Sequence, residues 1–284
     1  MANTVSSRTW RDKYMKTTLD HALRNALVAE KICQVDRSEN YRIQNPYEST
    51  PTVTVQAIAG SYSAADWTTT DDALTVTDEF IVAEHIRDFE SLLTNFDMFA
   101  NRMDILMFNV ASKIDRFVLN NLCEDGTGAY TTPAGGFTTA ANVNVIMANL
   151  LSKVAGYAET YNGLFLVVEN TDLVGLVQAQ ATNGFSFADA ALKNGWSGNY
   201  MGVDIYVVRS GTFADETLGT KTYTNSGHRV FGVKNQATYL SPRGIRYEEK
   251  SVSGKTGKEI VVWGYVGFKL WANKTDLIVD ITLA

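Results

Sequence analysis

A polar arm that runs into a long amphipathic helix, between Arg42 and Cys123, most constrains what this chain can fold into. Val53 and Val55 alternate with threonines before the polar run GSYSAADWTTTDD, and Leu74 and Val76 do the same after it. This alternation predicts two β-strands joined by a polar tip. Because an isolated hairpin is at best marginally stable in water, we expect the arm to lie on another surface, of this chain or of a second copy. The pattern favours assembly over catalysis.

The helix that follows is predicted to begin near Asp88, a suitable N-cap, with Glu90 in its first turn. Apolar residues recur at steps of three and four as far as Cys123, which gives a helix about 50 Å long. Glycines at 126 and 128 then end it. The apolar stripe is wider than a coiled-coil seam, so we expect the helix to lie across a sheet. The stripe consists of Leu92, Phe96, Phe99, Met103, Leu106, Val110, Ile114 and Phe117.

The rest of the chain divides into a mixed and an all-strand part. A helix over 141–157 and the apolar strands GLFLVVE and VDIYVV predict a small α/β layer centred on 141–208. From Val230 onward, five strand patterns predict an antiparallel tail on which the long helix can pack. The runs EDGTGAYTTPAGGFTT and SGTFADETLGTKTYTNSGHR are interpreted as loops, the second an exposed and functional excursion. A short amphipathic helix near Leu19–Leu27 and an extended connector, QVDRSENYRIQNPYESTP, precede the arm.

Composition limits the partners. The 284 residues carry 25 Lys and Arg against 31 Asp and Glu, a formal net charge of −6, so the chain as a whole is no strong polyanion binder. One basic cluster lies near the N-terminus, and it is explained by a solvated terminus as well as by an electrostatic anchor. No apolar run is long enough to span a bilayer, and no secretory signal is visible, which predicts a cytosolic protein. The basic cluster comprises Arg8, Arg11, Lys13 and Lys16.

Patterns for catalysis are weak. His21, His85 and His228 are isolated, and Cys33 and Cys123 have no ligand-type neighbours, which argues against a metal site and favours buried free thiols. No GxSxG elbow is present. The run Gly254-Lys255-Thr256 resembles the end of a phosphate-binding loop but has Glu249 where that motif needs glycine, so we interpret it as a turn. We therefore expect no catalytic, cofactor-binding or metal-binding residues.

Three residues near the arm tip are candidates for contacts between subunits. Trp67 is a large aromatic residue in polar surroundings, typical of the buried centre of an interface, although folding back onto its own arm is nearly as good an explanation. Asp71 and Asp72 are explained either as solvated acids or as partners of basic residues on a neighbouring copy.

The order of elements, together with GWSGNYMGVDIYVV and WGYVGFKLWANKTDLIVDI, resembles the major capsid proteins of tailed bacteriophages, whose Hong Kong 97-type shell fold is also used by encapsulins. The resemblance covers nearly the whole chain. It implies an α+β fold with an N-arm, an extended β-hairpin E-loop, a long spine helix, and peripheral and axial domains. The implied segments are an N-arm at 1–41, an E-loop at 42–87, a peripheral domain with the spine helix at 88–140, an axial domain at 141–229, and terminal strands that complete the peripheral domain at 230–284.

The same resemblance implies a non-enzymatic function. The chain would assemble with itself into hexamers and pentamers of an icosahedral head that encloses double-stranded DNA, in a virion built in the bacterial cytoplasm. The N-arm residues Arg8, Arg11, Lys13 and Lys16 would make contacts in the shell. Separate scaffolding, portal and decoration proteins would be partners, DNA contact would be non-specific, and no cofactor or membrane would be involved.

Three alternatives remain open at this point. An encapsulin-type nanocompartment has the same fold but encloses a cargo enzyme. An α/β enzyme with an oligomerisation arm would need its site in the glycine-rich loop or in the 209–229 excursion. A phage tail or connector ring subunit would form rings or tubes of one size without closed shells.

Overall fold

The computed structural model describes residues 28–36, 42–48, 68–86, 98–182, 196–240, 246–251 and 256–284, with the single residues 53, 55, 58, 60 and 66. Four α-helices are found in this part of the chain. They are α1 (Ala29–Ile32), α2 (Met98–Asp125), α3 (Ala140–Val154) and α4 (Leu173–Thr182). Helix α2 has 28 residues and is therefore about 42 Å long. It ends before Gly126, as predicted, while its predicted start near Asp88 lies outside the described residues.

Fifteen strands are found in the described residues. They are β1 (Gln34–Asp36), β2 (Arg42–Glu48), β3 (Thr69–Thr75), β4 (Asp78–Ile86), β5 (Gly128–Thr131), β6 (Leu164–Glu169), β7 (Trp196–Tyr200), β8 (Val203–Val208), β9 (Asp215–Leu218), β10 (Lys221–Thr224), β11 (His228–Val233), β12 (Ala237–Leu240), β13 (Arg246–Ser251), β14 (Lys258–Leu270) and β15 (Ile278–Thr282). All five strands expected after Val230 are present.

A six-stranded mixed sheet has the order β5-β15-β11-β6-β8-β7. Strand β6 runs parallel to β8, and β5 runs parallel to β15, while the other neighbours are antiparallel. The two apolar strands predicted to form an α/β layer are therefore adjacent, with helices α3 and α4 beside them. This confirms the mixed layer that the sequence indicated.

A second sheet is built around β14, the longest strand. Its first half pairs with β4 on one side and β13 on the other, both antiparallel. Its second half pairs with β12, which in turn pairs in parallel with β1. The residues between β13 and β14 thus join two antiparallel strands, which is incompatible with the strand-then-helix context of a phosphate-binding loop.

The two faces of the six-stranded sheet bury different helices. Phe165 and Val167 of β6 belong to the core that contains α2, whereas Leu166 and Val168 belong to the core of α3 and α4. This division follows from the alternation of side chains along a strand. Helix α2 also packs on Ile260 and Val262 of β14, so it lies across strands of both sheets, as its wide apolar stripe predicted.

The structure corrects several element assignments. Val53 and Val55 are not in a strand, because β3 pairs with β2, inside the segment interpreted as a connector. The polar excursion contains the hairpin β9–β10. The glycine-rich loop contains β5, which lies on β15. The run WSGNY forms β7, a strand that the sequence analysis did not predict.

Helix α3 is slightly shorter than predicted, because it ends at Val154 and not at Tyr157. The predicted helix near Leu19–Leu27 lies outside the described residues. The five predicted domain ranges stay a prediction, although strands of the segment 230–284 contribute to both sheets, since β11 and β15 lie in one and β12 to β14 in the other.

Candidate assembly surface: the arm and its root

Strands β2 and β3 form a two-stranded antiparallel sheet and pair with no other described strand. We call the segment from Arg42 to Thr75, which contains both strands, the arm. The register sets Ile43 opposite Leu74 and Pro46 opposite Asp71. A proline is tolerated at this position because the arm has free edges, where a missing N–H breaks no ladder. The arm therefore has little structure of its own to stabilise it beyond its point of attachment.

The attachment is a small apolar cluster that we call the arm root. Leu74 is fully buried and packs on Trp271, with Ile43 and Val76 partly buried around them. The indole N–H of Trp271 donates a hydrogen bond of 2.9 Å to Thr238 Oγ1 on β12, which satisfies the only polar atom of the ring. The arm is thus fixed at one end to the end of β14.

The two candidate acids of the arm lie in β3 and not at its tip. Asp72 Oδ1 is 3.1 Å from Lys269 Nζ, and Asp72 Oδ2 accepts the backbone N–H of Ala272 at 2.9 Å. Asp71 is exposed and accepts a hydrogen bond of 3.1 Å from Gln44 Nε2 across the arm. The structure therefore separates their roles, since Asp72 fastens the arm to its own chain and Asp71 faces solvent. Trp67 lies outside the described residues.

Beyond the paired strands, the arm presents apolar side chains to solvent. The relative exposures of Val53, Val55 and Ile58 are 86%, 95% and 102%. These three side chains are therefore in contact with water in the unassembled subunit. Clusters of exposed apolar side chains of this kind mark interaction surfaces.

The predicted N-arm contacts, Arg8, Arg11, Lys13 and Lys16, lie outside the described residues. The described chain begins at a clamp on helix α2. The carboxylate of Asp115 accepts the backbone N–H groups of Val28 and Ala29 at 3.0 and 2.9 Å. Burial raises the pKa of Asp115 to about 7, although these two hydrogen bonds act in the opposite direction. The segment that follows the N-terminal region is thus fixed to the middle of the long helix.

A buried charge cluster lies beside the six-stranded sheet. Arg229 on β11 contacts Asp172 at 2.5 Å through Nε and Glu169 at 3.2 Å through Nη2. The other oxygen of Glu169 accepts backbone N–H groups of Gly211 and Phe213. All three charged side chains are more than nine-tenths buried and are paired. This cluster was not found from the sequence, because Arg229 is distant along the chain from Glu169 and Asp172.

In the described part of the chain, His228 and the two thiols are not arranged for nucleophilic catalysis. His228 Nδ1 lies 2.9 Å from Asp280, and Asp280 also contacts the thiol of Cys123. The carboxylate therefore lies between the imidazole and the thiol, so the imidazole is not positioned as base to the sulfur. Burial raises the pKa of both Cys123 and Cys33, which keeps these thiols protonated and unreactive. Among the described residues, no group of three or more His, Cys, Asp or Glu is arranged to hold a metal.

No family model matches the chain, and no curated protein matches it in sequence. Solved structures do match. The capsid of an empty GTA particle has a TM-score of 0.66 at 14% identity, over 92% of this chain and 90% of that chain. The capsid of the cyanophage P-SCSP1u has a TM-score of 0.64 at 12% identity, over 91% and 88%. A virus-like particle from Pyrococcus furiosus has a TM-score of 0.61 at 9% identity, over 95% and 99%.

These likenesses extend over nearly the whole of each chain. The protein therefore has the α+β shell fold of phage capsid proteins, the Hong Kong 97-like fold that the sequence predicted. At this level of identity it is the fold that is shared. None of the described helices is long and apolar enough to cross a membrane.

Proposed function

We propose that this chain is a structural major capsid protein that assembles with itself into the hexamers and pentamers of an icosahedral phage head, enclosing double-stranded DNA. The observation that carries the proposal is the arm. Its root is fastened to the subunit, yet Val53, Val55 and Ile58 remain almost fully exposed. A chain with the shell fold and an unburied apolar arm needs further copies of itself to complete its burial.

Elsewhere on the subunit, further apolar side chains are exposed. Ile81 on β4 is 64% exposed, and Ile105 and Phe108 on α2 are 47% and 56% exposed. An arm surface on one copy that packs on a different surface of the next forms a heterologous contact, which closes into rings when the rotation allows. Hexamers and pentamers are such rings.

The three contact residues named from the sequence are proposed to contribute to the interface in different ways. Asp71 is exposed and free to meet a basic group of a neighbour. Asp72 would contribute indirectly, because its carboxylate already binds Lys269 and Ala272 of its own chain. Trp67 is proposed as an interface residue from the sequence alone.

We also propose a role in the shell for each segment of the chain. The N-arm, 1–41, with Arg8, Arg11, Lys13 and Lys16, would make shell contacts, and DNA contact would be local and non-specific, as the net charge of −6 requires. The ranges 42–87, 88–140, 141–229 and 230–284 would be the E-loop, the peripheral domain with its spine helix, the axial domain and the terminal strands. The mature location would be the virion, with separate scaffolding, portal and decoration proteins as partners.

The experiment that tests the proposal compares two double variants of the arm. Val53→Ser with Val55→Ser removes apolar surface from side chains that are 86% and 95% exposed, so the thermal stability of the subunit should not change while particle formation is lost. The matched control, Val53→Ile with Val55→Ile, keeps the surface apolar and should assemble. Size-exclusion chromatography with light scattering measures both. Normal particles from the serine variant would contradict the proposed role of the arm.

A nanocompartment shell is the second candidate, and the likeness to the Pyrococcus furiosus virus-like particle favours keeping it. The contents of particles isolated from the natural source separate the two functions. Packaged DNA supports the phage head, whereas a folded protein cargo without DNA supports the nanocompartment.

A further inference from the structure

The hairpin β9–β10 lies along helix α2 and is held by side chains spread over several turns of that helix. Glu216 on β9 contacts Lys113 Nζ at 2.9 Å and Arg116 Nε at 2.8 Å, the latter as an ion pair without hydrogen-bond geometry. Lys221 on β10 contacts Asp125 Oδ1 at 2.9 Å and Asn121 Oδ1 at 3.2 Å. Residues 113 to 125 span about 18 Å of helix. We call this hairpin, residues 215–224, the strut.

The buried side of the strut makes it part of the core. Tyr223 is fully buried, and Leu218 packs against the core that contains α2. Just before the strut, the carbonyl of Thr212 accepts a hydrogen bond of 3.1 Å from Asn120 Nδ2 on α2, and just after it Asn225 Nδ2 donates to the carbonyl of Asn120 at 3.0 Å. The strut is therefore fixed to the long helix at both of its chain ends.

The turn of the strut contacts Asp78, the first residue of β4. Asp78 Oδ1 accepts the backbone N–H of Thr220 at 3.0 Å. Its other oxygen accepts the hydroxyl of Thr77 at 2.9 Å. Gly219 has φ +61°, and a Cβ placed there would lie 2.0 Å from Asp78 Oδ1. Glycine is needed at this turn both for its backbone conformation and for the close approach of the carboxylate.

Asp78 lies where the arm meets the body of the subunit. Strand β3 of the arm ends at Thr75, and β4, which pairs with β14, begins at Asp78. Only Val76 and Thr77 separate the two strands. The strut thus reaches from the long helix to the joint at which the chain leaves the arm.

We propose that the contact between Asp78 and Thr220 sets the direction in which the arm leaves the subunit, and that the strut couples this direction to the long helix. The inference rests on the proposed function, because the arm direction matters only if the arm contacts another copy. Asp78 is therefore a positioning residue, because it acts on the geometry of assembly through the arm.

An arm that is attached at one point is free to rotate about that point. A second attachment removes this freedom. The first attachment is the arm root, where Leu74 packs on Trp271 and Asp72 binds the end of β14. The second is Asp78 on the strut. The seven residues of β2 extend about 23 Å, so a rotation of about 10° at the joint displaces the far end of that strand by about 4 Å. Such a displacement is enough to change which side chains meet across an interface.

The test uses the full chain carrying Asp78→Ala, with Asp78→Asn as the conservative variant that keeps an acceptor oxygen. Asp276→Ala is the matched control, since it removes an exposed carboxylate that accepts the hydroxyl of Thr127, after the end of helix α2, and not an amide of the strut. Hydrogen exchange of the unassembled subunit and electron microscopy of assembly reactions are the two readouts. Glu216→Ala, which removes the contacts of the strut with Lys113 and Arg116 on the helix, provides a second route if Asp78→Ala does not fold.

We expect Asp78→Ala to raise exchange at the Thr220 amide and through 69–78 by on the order of tenfold, since an amide loses its charged acceptor. Its particles should be open or of mixed diameter, whereas Asp78→Asn and Asp276→Ala should assemble as the natural sequence does. Glu216→Ala should shift in the same direction as Asp78→Ala. Unchanged exchange in 69–78, or particles of normal diameter from Asp78→Ala, would overturn the inference while leaving the shell function intact. If the natural sequence forms no particles, the proposed function fails and the exchange data alone decide whether the strut holds the arm.

Discussion

Asp72 on the arm and Ala272 after β14 are joined by a hydrogen bond of 2.9 Å from the backbone N–H to the carboxylate. Lys269 adds an ion pair of 3.1 Å to the other oxygen of the same carboxylate. Only 12% of the Asp72 side chain remains exposed, so this group is committed to its own subunit. The contact converts an otherwise marginal two-stranded arm into a fixed projection from the shell fold.

Neighbouring acids on β3 provide a direct test of this role. Asp72→Ala should lower the free energy of unfolding of the unassembled subunit by about 1 to 2 kcal/mol, mainly because the Ala272 N–H loses its acceptor. The ion pair with the half-exposed Lys269 adds less, since solvent screens it. Asp71→Ala should stay within about 0.5 kcal/mol of the natural sequence, as expected for an exposed residue. Urea denaturation followed by circular dichroism measures both, and equal losses would contradict the assignment.

Truncation at the arm root should be much more costly than truncation farther along the arm. Leu74→Ala empties a fully buried site against Trp271 and should cost about 2 to 4 kcal/mol. Val55→Ala removes methyl groups that are 95% exposed and should leave the unfolding midpoint of the subunit unchanged. Thermal unfolding of the two variants measures the difference between their midpoints. A comparable loss of stability from both would mean that Val55 is buried in the subunit.

The clamp at Asp115 predicts a pH dependence of stability. Burial raises the pKa of Asp115 from its ordinary value of 3.8 to about 7, while the charges of Lys31 and Glu30 act on it in opposite directions. The buried thiol of Cys33 interacts with the same carboxyl. Because the folded state then holds a proton that the unfolded state releases, this group lowers the free energy of unfolding as the pH rises from about 4 to about 7, by on the order of a few kcal/mol. Above pH 7 its effect is constant.

Asp115→Asn isolates this effect. The amide keeps one acceptor oxygen but cannot ionise, so the difference in stability between variant and natural sequence should shift in favour of the variant between pH 4 and 7. Urea titrations at several pH values measure this difference. A difference that is independent of pH would show that Asp115 has an ordinary pKa.

The buried charge cluster predicts a large loss on removal of its cation. Arg229→Ala leaves Glu169 and Asp172 buried without their partner and should destabilise the subunit by about 3 to 5 kcal/mol. Lys258→Ala breaks an exposed pair with Glu249 and should cost less than about 1 kcal/mol. The soluble yields and the denaturation midpoints of the two variants measure this difference in stability. Near-neutral behaviour of Arg229→Ala would contradict the burial of the two carboxylates.

The parts of the fold that the sequence predicted are those with strong local periodicity. Patterns within one element were found in the structure for the α2 stripe from Leu106 to Phe117, for the apolar strands β6 and β8, and for all the strands after Val230. The earlier part of the stripe lies outside the described side chains. The hairpin β9–β10 was missed because DETL and KTYT are short and polar. Its one local sign was Gly219, the residue that a tight hairpin turn requires at that position.

The arm pairing could not be read from the sequence because several strand registers satisfy the same alternation. Val53 and Val55 looked like the partners of Leu74, but the actual partner is Ile43, selected by the packing of Leu74 on Trp271 far along the chain. The same holds for Asp72, whose partners lie at 269 and 272. Contacts of this kind are set by tertiary packing, which local patterns do not contain.

Assembly of many copies of this chain into a closed shell is best tested by electron microscopy of the purified protein, alone and co-expressed with its neighbouring genes. We expect closed icosahedral particles, or hexameric and pentameric rings, with light scattering to match. Discrete monomers or dimers under both conditions would contradict this expectation and would favour an enzyme with an oligomerisation arm.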